Sequence, residues 1–427
     1  MGNIDKKVLK TIQEEMNTIL QRKIIPFWLK RSLDPQHGGY FTCFDGNGDF
    51  SGDTNKYIVT QTRMIWGFSY LIDRCPAEYR EEMKIAAKKG ADFFVKHFWD
   101  VKNGGFVWKT DRSGKILDDG KLVYGESFAI YALSEYYRMS QDRMALEYAE
   151  KTFDLLQIYT ADTLNGGYFE NLESDWRRSA GGKYAGDRKS LDIHMHLMEA
   201  FTALYAASGK EIHARKLKET VDIIMKRMIN TELGFGYNQF DIEFKRIPAV
   251  NIYRTWNDDR EAGEAVDVPT DTTSYGHNVE LSWLIKLALD TLKIEDTECS
   301  NVMRKLLDHS LEYGYDYEFG GIYRDGVADK KVLVTDKEWW QNFEALVGYS
   351  NGYLCFEDDR YIKALESTWG FVRDKFINAE AGESRQLLNR KGEPIVANLG
   401  NPWKGIYHTG RALAESLDRI EKILAKG

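Results

Sequence analysis

A chain of 427 residues, 43% hydrophobic and 29% charged, reads as a globular protein, and its formal charge of −8 argues against nucleic acid or an anionic membrane as partner, because both attract basic surfaces. Cys43, Cys75, Cys299 and Cys355 lie far apart with no CxxC pair, which excludes a disulfide framework or a zinc cluster. The start, MGNIDKKVLK, has no apolar signal core and carries Lys6 where a myristoylation signal wants Ser or Thr; no later stretch approaches a membrane span, so the expected location is cytoplasmic.

Taken in chain order, small Gly-aromatic clusters recur: HGGYF at 37–41, NGGFVW at 103–108, NGGYFE at 165–170, LGFGY at 233–237 and FGGIYR at 319–324. A spacing of about 65 residues suits two helices and a loop per repeat. The first cluster runs into DGNGDFSGD at 45–53, which mimics a calcium loop but has Phe50 and Lys56 where glycine and an acidic ligand are needed. It is expected to be a hairpin turn.

Between the clusters, segments such as ESFAIYALSEYYRM, LDIHMHLMEAFTALYAA, VELSWLIKLALDTL and NFEALVGYSNGYLCF are apolar nearly all round. They alternate with charged, amphipathic segments such as EEMKIAAKKGADFFVKHF and HARKLKETVDIIMKRM. Inner helices buried on both sides, alternating with outer helices that bury one face, predict an all-α fold. The expected architecture is an (α/α)6 barrel, a toroid of six helical hairpins with short β-hairpin loops at one end, formed by residues 1–427 as one domain.

Near the start of each inner helix sit polar groups that a buried helix should avoid: Arg63, Tyr124, Asp192 with His196, His277 with Glu280, Gln341 with Glu344, and His408 with Arg411. Residues three or four apart share a helix face, whereas residues two apart point away from each other. Asp192 and His196 are therefore together and His194 is not. These groups would satisfy one another if only one helix carried them; six in register point to a site at one mouth of the ring. There is no HExxH, no Cys/His cluster, no GxGxxG and no GxxxxGK[ST], so no metal and no cofactor are expected.

The stretches QTRMIWGFSYL, YGESFAIYALSEYY, KSLDIHMHLMEAFTALY, YGHNVELSWLI, KEWWQNFEALVGY and PWKGIYHTGRA, in that order, resemble the signatures of the N-acylglucosamine 2-epimerase superfamily, and within it those of the cellobiose 2-epimerases. The resemblance implies that His277 and His408 are paired acid/base catalysts supported by Glu280. It makes Arg63 and His196 contacts of the reacting sugar, Trp340 and Trp403 aromatic platforms, and Tyr124 and Glu344 further site positions. Two departures stand out. Asp192 replaces an asparagine of the NTHLH motif, adding a negative charge. GESRQLLNRKGEP at 382–394 lacks the tryptophans that follow Gly-Glu in that group, which predicts that a monosaccharide is accepted at least as well as a disaccharide unless Trp176 or Trp256 takes over the stacking.

Inverting C2 of an aldose needs a base on one face of a planar enediolate and an acid on the other, and histidine titrates near neutrality. His277 follows TDTTSYG, a capping-type stretch, and is expected in the first helical turn with Glu280 orienting it. Arg63 and His196 would supply the donors for the oxyanion at O1. The expected activity is sugar 2-epimerisation at a cellobiose, glucose or mannose reducing end. The alternatives are mannose or N-acylglucosamine 2-epimerisation, aldose–ketose isomerisation, glycoside hydrolysis through paired carboxylates on the same toroid, and non-catalytic sugar binding. The partner is a small sugar; monomer and homodimer both stay open.

Overall fold

The computed structural model describes residues 6–248, 269–328 and 332–426. Its helices are α1 (Lys6–Ile19), α2 (Ile25–Arg31), α3 (Ile58–Tyr70), α4 (Arg80–Phe98), α5 (Val123–Ser140), α6 (Arg143–Tyr159), α7 (Leu191–Ser208), α8 (Glu211–Ile223), α9 (Tyr275–Leu292), α10 (Thr297–His309), α11 (Trp339–Phe356), α12 (Asp359–Phe371) and α13 (Ile406–Lys426). A π-helical turn, Leu20–Ile24, joins α1 to α2. The odd-numbered helices from α3 to α13 touch in succession, and α13 returns to α3. That closes an inner ring of six, and the fold class is the one the sequence predicts.

Composition explains which helix lies where. In α3 every residue from Ile58 to Ser69 is buried, and in α11 every residue from Trp339 to Gly352, as apolar helices with neighbours on all sides require. The outer helix α6 buries one stripe, Ala145, Ala149, Thr152, Phe153 and Leu156. Asp142, Asp296 and Asp358 cap α6, α10 and α12 by accepting backbone N–H groups of the first turn, while Ser190 and Ser274 do the same for the inner helices α7 and α9.

Each Gly-aromatic cluster turns the chain from an outer helix back over the ring. An Asp or Asn starts the turn and a glycine four residues later closes it, the glycine N–H donating to its backbone carbonyl: Asp34 with Gly38, Asp100 with Gly104, Asp162 with Gly166, Asn230 with Gly234, Asp316 with Gly320 and Asn378 with Gly382. The last of these is a sixth turn that the Gly-aromatic pattern does not reveal, because Glu383 takes the place of the second glycine and Ser384 that of the aromatic. At Gly39, φ is +65° and a Cβ would lie 2.8 Å from the Gln61 side chain and the Phe93 ring, so only glycine fits.

Behind these turns lie buried cations. Lys56, Lys121, Lys189 and Lys337, each two residues ahead of an inner helix, pair with Asp34, Asp100, Asp162 and Asp316 at 3.3, 3.1, 2.8 and 3.0 Å. Lys404, two residues ahead of α13, pairs with Glu383 at 3.1 Å. The 45–53 segment is a hairpin tip: Asp45 Oδ1 accepts the N–H groups of Asn47 and Asp49 at 2.8 and 3.0 Å. No described helix is long and apolar enough to cross a membrane.

Candidate active site

At one mouth of the ring a cleft of about 350 Å³ is lined by Arg63, Tyr124, Asp192, His196, His277, Glu280, Trp339, Trp340, Trp403 and His408. All but Trp403 lie in the first two turns of inner helices, and Trp403 comes from the loop leading into α13. Each inner helix start therefore delivers side chains to the same place, α11 through its two indoles and the others through polar groups.

Three layers of side chains hold the site. Nearest the cleft, Asp192 Oδ1 lies 3.3 Å from His196 Nε2 and 3.4 Å from His277 Nε2. The His277 ring packs on Trp340 with centroids 4.6 Å apart, and His408 meets the same indole at 5.7 Å. The backbone N–H of His277 is capped by Ser274 Oγ at 3.4 Å, which places it in the first helical turn as expected. Arg63 donates from Nη2 to the Tyr124 hydroxyl at 2.9 Å and from Nη1 to the Trp403 carbonyl, with its guanidinium over the Phe128 ring.

Behind the histidines lie carboxylates. His408 Nδ1 is 2.8 Å from Glu344 Oε1, and His196 Nδ1 is 3.0 Å from Glu199 Oε2. Glu344 also accepts the Trp283 indole N–H at 3.2 Å. Deepest of all, the buried Arg411 donates to Glu199, Glu280 and Glu344 together, and Tyr407 adds its hydroxyl to Glu199 at 2.7 Å. One guanidinium thus ties down the carboxylates behind two of the three site histidines.

This layering sets the charges. Burial opposes ionisation of Asp192, but His277 and His196 hold its carboxyl well below the usual carboxylate range. Burial, reinforced by Arg63 and Arg411, holds His408 well below the ordinary imidazole value, so it is neutral at pH 7. Burial also raises Glu344 against the pull of Arg411. Glu344 already accepts from Arg411 through Oε1 and from Trp283 through Oε2, which assigns the shared proton to Nδ1 of His408 and leaves Nε2 the lone pair, with no hydrogen-bond partner among the described residues. It is placed to act as a base.

Among the described residues, Glu280, Glu344 and His408 have donor atoms within 4.8 Å of one another, close enough to share a metal ion. Arg411 Nη2, however, already donates to both carboxylates. The positive charge that an ion would bring there is supplied by the guanidinium.

The family model for N-acylglucosamine 2-epimerase (GlcNAc 2-epimerase) matches residues 39–412. The chain belongs to this family. It is 28% identical over 422 residues to the cellobiose 2-epimerase of Dictyoglomus turgidum, covering 96% of this chain and 100% of the relative. With the cellobiose 2-epimerase of Ruminococcus albus it shares 29% over 415 residues, 95% of this chain and 98% of that one. A solved structure of cellobiose 2-epimerase from Bacillus thermoamylovorans superposes with a TM-score of 0.85 at 25% identity, covering 96% and 100% of the two chains. The enzyme class read from the sequence, a carbohydrate 2-epimerase, is that of the family.

Nine of the ten expected site residues line this epimerase-family cleft, and Glu344 stands one layer behind, against His408. Three details differ from expectation. Glu280 does not orient His277: its hydrogen bond goes to Arg411, and the carboxylate beside His277 is Asp192. Gln341 is turned out of the cleft, where its amide donates to Ser274 Oγ and the Arg324 carbonyl. Trp176 is locked into the second loop by a hydrogen bond to Asn103 and a stack on Tyr159, and Trp256 lies outside the described residues. His194 is excluded from the site as expected, held by Ser190 and Tyr168 backbone groups at 2.9 and 3.0 Å.

Sequence reasoning missed Trp339 and Glu199. Trp339 was overshadowed by Trp340 next to it. Glu199 had a readable signal, since it is an acid in an apolar helix three residues after His196 and a buried acid needs a partner.

Proposed function

We propose that this enzyme interconverts the C2 epimers of an aldose at its reducing end, with His277 and His408 exchanging the C2 proton through an enediolate. The observation that carries this reading is the pair of imidazoles, from α9 and α13, packed against the single indole of Trp340 in one cleft. The open-chain aldehyde enters between them. The neutral His408 takes the C2 proton; the C–H electron pair becomes the C1–C2 double bond while the carbonyl pair moves onto O1. Protonation of C2 from the other face by His277 restores the aldehyde with inverted configuration. Arg63 and His196 supply positive charge to O1, where a preorganised donor is worth most.

A hydrolase needs two carboxylates free to flank a glycosidic bond. Glu280 and Glu344 are instead tied to Arg411, and Asp192 lies between two histidines. A binding protein needs the indoles but not the imidazoles. Both readings lose support.

The substrate is an unsubstituted aldose of monosaccharide size, with cellobiose a secondary substrate. The 382–386 stretch serves the scaffold: Glu383 accepts from the Trp28 indole and from Lys404, and Gln386 accepts the Asn401 amide at 2.6 Å, so it offers no ring for a second sugar to stack on. Mannose, glucose and cellobiose are to be incubated in D2O and followed by NMR. Deuterium is expected at C2 of the epimeric product, with little effect of EDTA. Hydrogen retained at C2 would overturn the enediolate. Release of glucose from cellobiose would favour the hydrolase, and appearance of ketose would make the enzyme an isomerase that protonates C1. A kcat/KM preference for cellobiose over mannose of a hundredfold, about 2.7 kcal/mol, would overturn the size assignment.

A further inference from the structure

His196 has a carboxylate at each ring nitrogen. Nε2 lies 3.3 Å from Asp192 Oδ1 and Nδ1 lies 3.0 Å from Glu199 Oε2. A neutral imidazole has one N–H and one lone pair, so with two anionic acceptors one contact would set lone pair against lone pair. Only the doubly protonated ring satisfies both. Glu199 cannot relieve the conflict by carrying the proton itself, because Arg411 and the Tyr407 hydroxyl already hold it as an anion. Asp192 Oδ1 is buried and makes no hydrogen bond of good geometry, and the two imidazoles stand at ion-pair distance from it, 3.3 and 3.4 Å away, so its charge is balanced only if the rings carry positive charge.

We propose that Asp192 is a positioning residue that makes His196 a standing imidazolium, a fixed cation beside Tyr124 and Arg63 where the aldose oxyanion develops. An asparagine, which the family pattern read from the sequence has at this position, would offer a neutral amide and leave Glu199 as the one anionic partner. The use made of the charge rests on the epimerase reading; the charge itself does not.

The groups around the ring decide whether two carboxylates suffice. From α3 comes Arg63, from α5 the Tyr124 ring at 5.2 Å, from α9 His277 and Glu280, from α11 Glu344, and from α13 Tyr407, His408 and Arg411. Arg63 and Arg411 oppose a further cation; Arg411 is neutralised by three carboxylates, while Arg63 donates to the neutral Tyr124 hydroxyl and Trp403 carbonyl and keeps its charge. Burial alone disfavours the charged ring, yet Asp192 and Glu199 in direct contact push the His196 pKa up to about 9.

The test is 15N–1H NMR of histidine-labelled enzyme without substrate at pH 7.5, on the wild type, Asp192→Asn and Asp192→Glu. Both ring nitrogens of His196 are expected to be protonated in the wild type and in Asp192→Glu. In Asp192→Asn the ring should be neutral, with one nitrogen bare. The alkaline arm of kcat/KM should move to lower pH by about 1 unit or more in Asp192→Asn, the effect of losing one close opposite charge, and return in Asp192→Glu. A neutral His196 in the wild type, or an imidazolium that survives in Asp192→Asn, would overturn the proposal. An imidazolium present as expected in an enzyme that epimerises no aldose would leave the charge assignment standing and remove the epimerase reading instead.

Discussion

The same inner helices carry two polar rings that face opposite ways. One faces the middle of the ring: Arg63, Tyr124, His196, Glu280 and Trp340 at the cleft, and Arg411 beneath it. The other faces the loops. Gln61, Glu126, His194, Asn278 and Asn342 each accept a backbone N–H from a Gly-aromatic turn, those of Tyr40, Phe106, Tyr168, Gly236 and Ile322, at 2.8 to 3.0 Å. In the last repeat the loop's own Glu383 is the acceptor, for the Ser384 N–H, and Thr409 meets Glu383 at 3.2 Å. Each loop-facing residue stands two positions from an inward-facing one, and a two-residue step rotates about 200° around a helix. What differs between the rings is whether polarity is used up by a fixed backbone partner or left for a ligand.

That contrast is open to experiment. Replacing His277 or His408 with Asn should lower kcat for epimerisation by about 10²–10⁴-fold each, with an unchanged melting temperature; near-normal turnover in either folded variant would break the assignment of the inward ring. His194→Leu, on the same helix but facing the loops, should do the reverse. It orphans the buried Tyr168 N–H and should lower stability by about 2–3 kcal/mol, read by urea unfolding, with kcat kept within a few fold.

A smaller effect separates a histidine that is held charged from one held neutral. His309, on the outer helix α10, has both ring nitrogens buried without hydrogen-bond partners, and burial pushes its pKa down to about 4 despite Glu312. The unfolded imidazole takes up its proton near 6.5. Between those values the unfolded state binds more protons, so the stability is intact above about 6.5 and is lost as pH falls toward 4. At pH 5 the deficit is about 2 kcal/mol. His309→Phe should flatten the fall in melting temperature between pH 7 and 5, and an unchanged slope would show that other groups carry the acid sensitivity.

The ring architecture was legible because its signal repeats. Apolar inner helices, charged outer helices and Gly-Gly turns recur at one period, and the i, i+4 rule put Asp192 with His196 and set His194 apart. The two polar rings were harder to separate. Without a measured phase for each helix, Gln341 looked like a site residue, although it is one position from the loop-facing Asn342. The Arg411 network was invisible for a different reason: Glu199, Glu280 and Glu344 lie on three helices, and no sequence spacing brings them to one guanidinium. Two signals were present and unused. An Asp or Asn four residues before a loop glycine marks all six turns, and a lysine two residues ahead of the helix marks five of the six inner helices, with Thr273 in its place before α9.

The contact of α13 with α1 and α3 has a consequence for how the molecule comes apart. Phe44, in the first loop, exchanges backbone hydrogen bonds with Leu399 and Gly400, in the last, so the first and last repeats are joined to each other as well as to their neighbours in sequence. An open solenoid frays from its terminal repeats, which have one neighbour each. Here every hairpin has two. No repeat is terminal in space, and peeling one away opens both flanking interfaces at once, so melting should begin everywhere or nowhere. Sequence order becomes a matter of where the circle happens to be cut: a chain opened in another loop, with its present ends joined, would restore the same set of neighbours.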